Sequence, residues 1–576
     1  MFLVLITIAS LFVNPCHSYN RVEKEVVYSL ILDRFYDGDI NNNIPYYAFT
    51  NNTKYDQWNK KVLPLIFDSK KTKWNKYWGG DLKGLYSKLE YLKELGITAI
   101  IISPIFQNTN GYLTVDGTKP RITAYHGYWL KDLYRLDEHF ISKDRTSNLS
   151  LYEQGEQLLK KIITKAHSLD LKIILDVNLN HSSPTKDGLN NIAKVREYEL
   201  QDGAIFKDGE FISARSDYFS KKFGIPEKHE NWFHTQPAIV WGEENRKALK
   251  ETYKKMGYEI SSKEPSEYER NNFMLHGLAD LNHENKEVQD YLIQAMIKWT
   301  KMGVDGYRID AIRHIPKQFI VDLKKALIKE NPNLYLIGEW YDFGESNKEA
   351  VSFSKTTGIL MFDFEKMREL RDIFIDKTAD YSNLKRTISR QDYKSIVFVE
   401  NQDLPRALST KKTSYKHYDE MLKLLLTLNA TPCIYYGSEQ YLHDRSYELG
   451  HSSFGTTGGD PWNRDFMRWD IKKHKQLSSY QIINKLSKLR KTNPALSYGK
   501  LKIIKTDSSL LAFHRIHQDR HLLYISSINE KDTQIDIKTT LKDGRYIDII
   551  SGAEYEILDG HIKTELGPYS SIIISN

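Results

Sequence analysis

Two kinds of apolar pattern alternate along the chain from about residue 26 to residue 489. One is a short, mainly apolar run, such as residues 97–103, which is typical of a buried strand. The other repeats apolar residues every three or four positions, as in residues 82–95, where Gly96 follows as a helix stop. The alternation predicts a parallel sheet whose strands are connected by helices.

The apolar runs number eight. They lie at residues 26–32, 97–103, 171–175, 304–309, 334–337, 358–362, 396–399 and 433–436, and helical periods stand between them at 82–95, 158–167, 288–301 and 319–328. Eight strands alternating with helices predict an α/β fold, a (β/α)8 TIM barrel built from residues 19–176 and 283–490.

Two segments depart from this pattern. Residues 177–282 are polar, aromatic and irregular, which predicts a subdomain inserted after the third strand. Residues 491–576 hold only short strand-like runs separated by turns, for example at 510–516 and 521–528. This tail is predicted to form a C-terminal antiparallel β-sandwich domain.

The charge balance excludes one class of partner. The 576 residues include 82 basic and 75 acidic ones, a net charge of +7, without a long basic block. Short basic runs such as residues 70–73 are typical of solvated surface. Binding to nucleic acid is therefore not expected.

The N-terminus carries an uncharged apolar run at residues 2–13, followed by small residues at Cys16 and Ser18. A membrane-spanning helix needs about 20 apolar residues, so this shorter run predicts a signal peptide over residues 1–18 and a secreted or periplasmic protein without a transmembrane segment. No Lys or Arg precedes the run. Lipid attachment at Cys16 is a poorer alternative, because the residues before it are not small. After cleavage Cys433 is the only cysteine, so no internal disulfide is expected.

Four carboxylates stand at the ends of predicted barrel strands: Asp176, Asp310, Glu339 and Asp403. In a (β/α)8 barrel the carboxyl ends of the strands form the active-site face. Glycoside hydrolysis needs two carboxyl groups that flank the scissile bond, because the leaving oxygen is protonated while a sugar cation develops. The pattern therefore indicates a glycosidase.

The surroundings of two of these carboxylates suit different roles. Arg308 lies two residues before Asp310 and therefore on the same strand face. A guanidinium there keeps Asp310 ionised, as a nucleophile requires. Glu339 follows an apolar strand and precedes Trp340, surroundings that raise the pKa of a carboxyl toward acid/base work. Each feature alone is common in structural ion pairs and helix caps, and only their combination is specific.

Five motifs occur in the order found in glycoside hydrolase family 13, the α-amylase family, which the chain resembles from about residue 26 through the C-terminal domain. They are Tyr125-His126-Gly127-Tyr128-Trp129, Asp176 through His181, Arg308 with Asp310 and His314, Glu339, and Phe398 through Asp403. The resemblance implies a retaining double displacement on the α-1,4-glucosidic bonds of starch, glycogen or maltooligosaccharides. In it Asp310 is the nucleophile, Glu339 the acid/base and Asp403 the transition-state stabiliser. The sugar-binding residues it implies are His126, Tyr128, Asp176, His181, Arg308 and Gln402.

Gln402 departs from the family pattern, in which this position is typically His. The amide of Gln402 donates a hydrogen bond but carries no positive charge. The departure bears on the rate and the preferred substrate rather than on the fold or the reaction type.

Oxygen-rich loops indicate calcium, which takes roughly six to eight oxygen ligands. Near the N-terminus the candidate ligands are Asp37, Asp39, Asn42, Asn43, Gly79 and Asp81. A solvated turn has the same composition, but the spacing resembles the N-terminal calcium loop of cyclodextrin glucanotransferases and related amylases. The resemblance implies a second site, formed by Asn180, Asp280 and the carbonyl of His314, which ties the inserted subdomain to the barrel.

Aromatic residues near the predicted barrel mouth are candidate platforms for a sugar ring. They are Tyr128, Trp129, Trp232 and Trp340. Trp232 and Trp241 equally suit the core of the inserted subdomain.

Three functions remain open at this point. The motifs favour hydrolysis by an α-amylase, or by a relative of neopullulanase or cyclomaltodextrinase, although those enzymes often have an N-terminal β domain for which the early first strand leaves no room. In transglycosylation a second sugar, instead of water, takes the glycosyl group. A non-catalytic member, like the amylase-like heavy chains of amino-acid transporters, is disfavoured by the intact carboxylates and the lack of a spanning helix. The oligomeric state is not indicated.

Overall fold

The computed structural model describes residues 22–45, 52–115, 120–190, 194–341, 347–390, 394–409, 412–444, 459–469 and 474–576. The predicted signal peptide, residues 1–18, lies outside these ranges. Within them, no helix is long and apolar enough to cross a bilayer.

Eight parallel strands close into a barrel. They are β1 (Val27–Leu30), β2 (Ala99–Ile102), β3 (Lys172–Val177), β4 (Gly306–Ile309), β5 (Tyr335–Gly338), β6 (Leu360–Phe362), β7 (Ser395–Val397) and β8 (Thr431–Tyr435). Each strand pairs with the next in chain order, and β8 pairs with β1. Every predicted apolar run overlaps one of these strands, so the predicted TIM barrel is confirmed.

A helix follows each strand. These helices are α1 (Leu82–Leu95), α2 (Leu151–Ser168), α3 (Lys286–Met302), α4 (Lys317–Glu330), α5 (Lys348–Thr357), α6 (Tyr381–Ile388), α7 (Tyr415–Thr427) and α8 (Ser478–Thr492). Local sequence sets the bounds of α1. The Asp81 carboxylate accepts a hydrogen bond from the Gly84 amide at 2.6 Å, and Gly96 ends the helix with a φ of 96°.

The chain leaves the barrel between β3 and α3. This segment holds strands at His181–Pro184, Val195–Leu200, Ala204–Lys207, Glu210–Ala214 and Leu278–Asp280, and helices at Lys186–Asn190, Tyr218–Phe223, Glu243–Lys255 and Glu267–Asn272. The connection from β2 to α2 adds strands at Phe106–Asn108, Gly111–Val115 and Leu130–Leu136. Gly111–Val115 pairs with Val195–Leu200. Both segments start at carboxyl ends of barrel strands, so they form walls above the active-site face.

The C-terminal region is an antiparallel β domain. Its strands are β9 (Lys500–Thr506), β10 (Leu510–His517), β11 (Arg520–Ser527), β12 (Thr533–Lys538), β13 (Gly544–Ile547), β14 (Glu554–Leu558), β15 (His561–Leu566) and β16 (Ser570–Ser575). They form two sheets, ordered β9-β10-β11-β16 and β12-β15-β14-β13. Leu510 and Ala512 pack between the sheets, whereas Leu511 and Phe513 join the barrel core. The predicted C-terminal β domain is confirmed.

Candidate active site

A cleft of about 450 Å³ opens above the carboxyl ends of the barrel strands. The predicted site residues that line it are His126, Tyr128, His181, Asp310, His314, Glu339, Gln402 and Asp403. Asp310 follows β4 directly and Glu339 follows β5 directly, whereas Asp403 lies in a loop six residues beyond β7. The barrel thus brings together side chains that follow three of its strands, β4, β5 and β7. The segment between β3 and α3 and the connection from β2 to α2 supply the others.

The Arg308 guanidinium, buried within β4, bonds to three carboxylates. Its Nη1 lies 2.8 Å from Asp176 Oδ1 and 2.7 Å from Asp310 Oδ1, and its Nη2 lies 2.6 Å from Glu339 Oε1. The pairing register explains this, because Arg308 stands opposite Asp176 of β3 and opposite Ile337 of β5. The sequence predicted only the contact with Asp310.

Burial raises the pKa of two of these acids, Glu339 and Asp176. It raises the pKa of Glu339 to about 8, against the opposing charge of Arg308. It also raises the pKa of Asp176, which accepts a hydrogen bond from the Tyr128 hydroxyl at 2.8 Å. Glu339 can therefore carry a proton at neutral pH, as a general acid must.

The chain turns sharply after the Asp310 position. Ala311 has a φ of 48°, a left-handed conformation that is uncommon for a residue with a side chain. Its amide donates to Glu339 Oε2 at 3.5 Å, and the Ile312 amide donates to the Glu339 carbonyl at 3.1 Å. The strained turn therefore fixes Glu339 beside Asp310, and no sequence pattern indicated it.

Neutral imidazoles line the other side of the cleft. His126 Nδ1 accepts a hydrogen bond from the Tyr128 amide at 3.0 Å, and the two rings stack with centroids 5.6 Å apart. Burial lowers the pKa of His126 well below its usual value and that of His181 to about 3. Both rings are thus uncharged hydrogen-bonding groups, suited to sugar hydroxyls.

Gln402 and Asp403 are held by a segment that the sequence did not single out. Gln402 Nε2 donates to Asp403 Oδ2 at 2.9 Å. Arg464, between β8 and α8, donates from Nε to the Gln402 carbonyl at 2.9 Å and from Nη2 to Asp403 Oδ1 at 3.4 Å. Arg464 and its neighbour Asp460 line the cleft, but neither stands in a periodic pattern that indicates a site.

The candidate aromatic platforms separate into two groups. Trp129 and Trp241 line the cleft. Trp232 is buried, donates from Nε1 to Glu287 at 3.0 Å and packs on Tyr291, so it belongs to the core. Trp340 is also buried and packs on Phe353, so its prediction as a platform is wrong.

The predicted N-terminal calcium loop gathers buried oxygens that lack hydrogen bonds. They are Oδ1 of Asp37, Asn42 and Asn43. Asn42 donates to Asp81 Oδ2 at 2.9 Å, and Asn43 donates to Asp37 Oδ2 at 3.0 Å. Gly79 has a φ of 97°, and a Cβ there would meet Asn43 Oδ1 at 2.2 Å, so any other residue would be strained at this position.

Asp39 is differently placed. Its Oδ1 accepts from the Asn41 amide at 3.1 Å, and its Oδ2 lies 3.7 Å from Lys83 Nζ. The structure therefore fits an oxygen-bound cation at Asp37, Asn42 and Asn43, and gives the Asp39 carboxylate other partners.

The second predicted calcium site shows the same property. Oδ1 of Asn180 and Oδ1 of Asp280 are both buried without a hydrogen bond. Asp280 Oδ2 is held by His234 Nδ1 at 2.6 Å, which leaves Oδ1 free for a cation. The ring Nδ1 of His314 lies 3.2 Å from the Arg270 carbonyl, and the role of the His314 carbonyl as a calcium ligand stays a prediction. Among the described residues, no group of three or more His, Cys, Asp or Glu side chains is arranged to hold a metal ion, so amide and carbonyl oxygens would supply much of either site.

Comparisons with known proteins agree with this geometry. The family model described as "Alpha amylase, catalytic domain" matches residues 30–499, and "Bacterial Alpha amylase C-terminal domain" matches residues 502–570. A cyclomaltodextrin glucanotransferase of Klebsiella oxytoca is 27% identical, over 97% of this chain and 79% of that protein. One of Bacillus sp. (strain 1-1) is 28% identical, over 94% of this chain, and this chain spans only 64% of its length.

A solved structure matches over nearly the full length of both chains. It is CldA, described as the first cyclomaltodextrin glucanotransferase with a three-domain ABC distribution. The TM-score is 0.76 at 27% identity, and the match covers 96% of this chain and 99% of that chain.

Proposed function

The chain belongs to the α-amylase family, and from that premise we propose that it cleaves α-1,4-glucosidic bonds of starch, glycogen or maltooligosaccharides by a retaining double displacement. The observation that carries the proposal is the single guanidinium of Arg308, bonded to both Asp310 and Glu339. It brings the two carboxyl groups close together, as in retaining enzymes, where they stand about 5 Å apart.

The roles of the two carboxyls follow from their surroundings. Asp310, charge-paired with Arg308, attacks the anomeric carbon while Glu339 protonates the leaving oxygen. In the second step Glu339 takes the proton of the incoming hydroxyl, which displaces Asp310 from the sugar. Asp403, Asp176, Tyr128 and the neutral histidines bind the hydroxyls of the reacting sugar.

A second candidate is transglycosylation on the same substrates. It is favoured by the similarity to proteins named cyclomaltodextrin glucanotransferase, one of which has the same three-part layout over its whole length. The two reactions share Asp310 and Glu339 and differ only in the acceptor, which is water in one and a sugar hydroxyl in the other.

Calcium is part of the proposal as a structural ion. Asp37, Asn42 and Asn43 would hold one ion and Asn180 with Asp280 another, because their buried oxygens lack hydrogen bonds. Bound there, calcium would neutralise buried carboxylates and link the loops that carry them. We further propose export through the signal peptide at residues 1–18, which rests on its apolar run.

The test combines a variant with product analysis. Asp310→Asn is expected to lose several powers of ten in turnover while still binding maltooligosaccharide, since covalent catalysis has no other nucleophile here. Asp519→Asn, on the surface of the C-terminal domain, is the matched control. A variant that keeps more than about a tenth of wild-type turnover would show that the nucleophile is misassigned.

Chromatography of products from starch, pullulan and cyclodextrins separates the two reactions. Hydrolysis is indicated by linear products that appear together with one new reducing end for each bond cleaved. Cyclic or lengthened products indicate transfer.

A further inference from the structure

The side chain of Arg464 is enclosed at the junction of two loops above the barrel. Besides its bonds to the Gln402 carbonyl and to Asp403, its Nη1 lies 3.1 Å from the Tyr125 hydroxyl and 2.8 Å from Asp460 Oδ1. Only 5% of the Arg464 side chain is exposed, whereas 39% of the Asp403 side chain faces the cleft. Arg464 thus contacts Asp403 on the side away from the cleft and leaves the other side of Asp403 open to substrate.

The backbone around Arg464 is itself fixed. Asn463 Nδ2 bonds to the carbonyls of Asn401, Gln402 and Leu404 at 3.2, 2.7 and 2.9 Å. Arg34 donates from Nε to the Arg464 carbonyl at 3.0 Å. The Arg34 guanidinium lies between the rings of Trp78 and Tyr125, 4.1 and 3.8 Å from their centroids. A rigid support of this kind holds the loop that carries Asp403 in place.

The electrostatic surroundings of Asp403 also single out Arg464. Although part of Asp403 faces the cleft, the loss of water on its other sides raises its pKa. The strongest opposing influence is the charge of Arg464, ahead of Arg308 and of the hydrogen bond from Gln402. Gln402, as a neutral amide, supplies a hydrogen bond and no charge.

We propose that Arg464 is a positioning residue for the reaction, which fixes the Asp403 carboxylate and provides beside it the positive charge that Gln402 cannot carry. The proposal rests on the proposed function, because it assigns Arg464 a role through Asp403. Arg464 and Asp460 also face the cleft, so the alternative is that Arg464 only contacts sugars away from the cleavage point.

α-Glucosyl fluoride separates these two roles, because it has one sugar ring and reaches no outer part of the cleft. Arg464→Gln is expected to lower kcat on this substrate by about 10- to 100-fold with little change in KM, as loss of a charge-assisted bond made in the transition state predicts. Arg464→Lys keeps the charge without the planar fork and is expected to fall between that variant and wild type. The surface variant Arg520→Gln is the control, and melting curves establish that each variant is folded.

Rescue provides an independent readout. Adding Gln402→His to Arg464→Gln places an imidazole next to Asp403. The fold-increase in kcat that this change gives in the Arg464→Gln variant is expected to be about ten times the fold-change that it gives in wild type. If both Arg464 variants keep the wild-type kcat on α-glucosyl fluoride and lose activity only on maltoheptaose, the proposal is overturned. Arg464 would then contact a sugar away from the cleavage point. Equal effects of Gln402→His in both backgrounds would also contradict it. A wild-type protein that turns over neither substrate refutes the proposed function itself, whatever the variant ratios.

Discussion

At the residue scale, three carboxylates depend on one side chain. Asp176, Asp310 and Glu339 all bond to Arg308, from strands that neighbour one another in the barrel. A buried group of this kind is costly unless every charge is paired, and here three acids share one base. The excess negative charge and the burial favour a proton on one of the acids, and Glu339 is the one whose role requires it.

The pH dependence of activity follows from Glu339. Its pKa is raised to about 8, and only its protonated form donates to the leaving oxygen. We expect kcat/KM on a maltooligosaccharide to hold up to about pH 8 and to fall above it by about tenfold per pH unit. Above that limit, α-glucosyl fluoride should decline less, because fluoride leaves with little protonation. A basic limb near pH 5 would mean that Glu339 is not enclosed as the structure has it.

Substitution of Gln402 tests the charge beside Asp403. Gln402→His is expected to leave activity on α-1,4-glucans unchanged or to raise it by up to roughly tenfold, because hydrogen bonds from a cation are worth about 1.5–3 kcal/mol against about 1 for neutral ones. Gln402→Ala should lower kcat/KM, since Asp403 loses the bond now made at 2.9 Å. A tenfold loss in the His variant would indicate that Gln402 is adapted to another sugar or linkage. An Ala variant equal to wild type would show that this side chain does not influence the substrate.

At the scale of elements, the loop after β1 and the start of α1 form one unit. Asp81 caps α1 and accepts from Asn42, so the oxygen-rich loop is attached to the first barrel helix. Asp81 is buried, and this raises its pKa to about 6. A cation bound by this loop would therefore be connected to the start of α1 through Asn42 and Asp81.

Calcium is expected to raise the melting temperature through this loop. Binding to the folded state alone adds about 2.7 kcal/mol at a hundredfold excess over the dissociation constant. Asp37→Asn should reduce the calcium-dependent rise, because Asp37 offers a buried oxygen without a hydrogen bond. Asp39→Asn should reduce it less, since that carboxylate already bonds to Asn41. Calorimetry with calcium and with excess chelator measures the effect, and identical melts would exclude a stabilising ion.

At the scale of the whole molecule, Arg515 of β10 joins the C-terminal domain to the barrel. Its buried guanidinium donates to the carbonyls of Thr427 and Leu428, at the end of α7, and to those of Leu496 and Gly499. Carbonyls on both sides of the junction thus depend on one side chain.

Removal of Arg515 is expected to weaken the whole protein. Arg515→Leu leaves several buried carbonyls without donors, at about 1–3 kcal/mol each. We expect a melting temperature several degrees lower, whereas Arg520→Leu, on the exposed end of β11, should match wild type. An unchanged melt for Arg515→Leu would show that water replaces the guanidinium at the junction.

The sequence by itself determined the barrel, its eight strands and the carboxylates at their ends. Strand and helix periods are properties of neighbouring residues, and α1 shows this, since its cap at Asp81 and its stop at Gly96 directly flank the helix in the sequence. Chain direction through a parallel strand also decides which end a carboxylate occupies, so the site could be predicted before the fold was seen.

Only the tertiary structure decided which side chains surround those carboxylates. Arg464 reaches Gln402 across 62 positions, and Arg308 reaches Asp176 across 132. Such contacts depend on loop paths and on strand register, which no local period records. Trp232 and Trp241 are a second example, because both belong to one irregular segment of the sequence. Only tertiary packing places Trp232 in the core and Trp241 at the cleft.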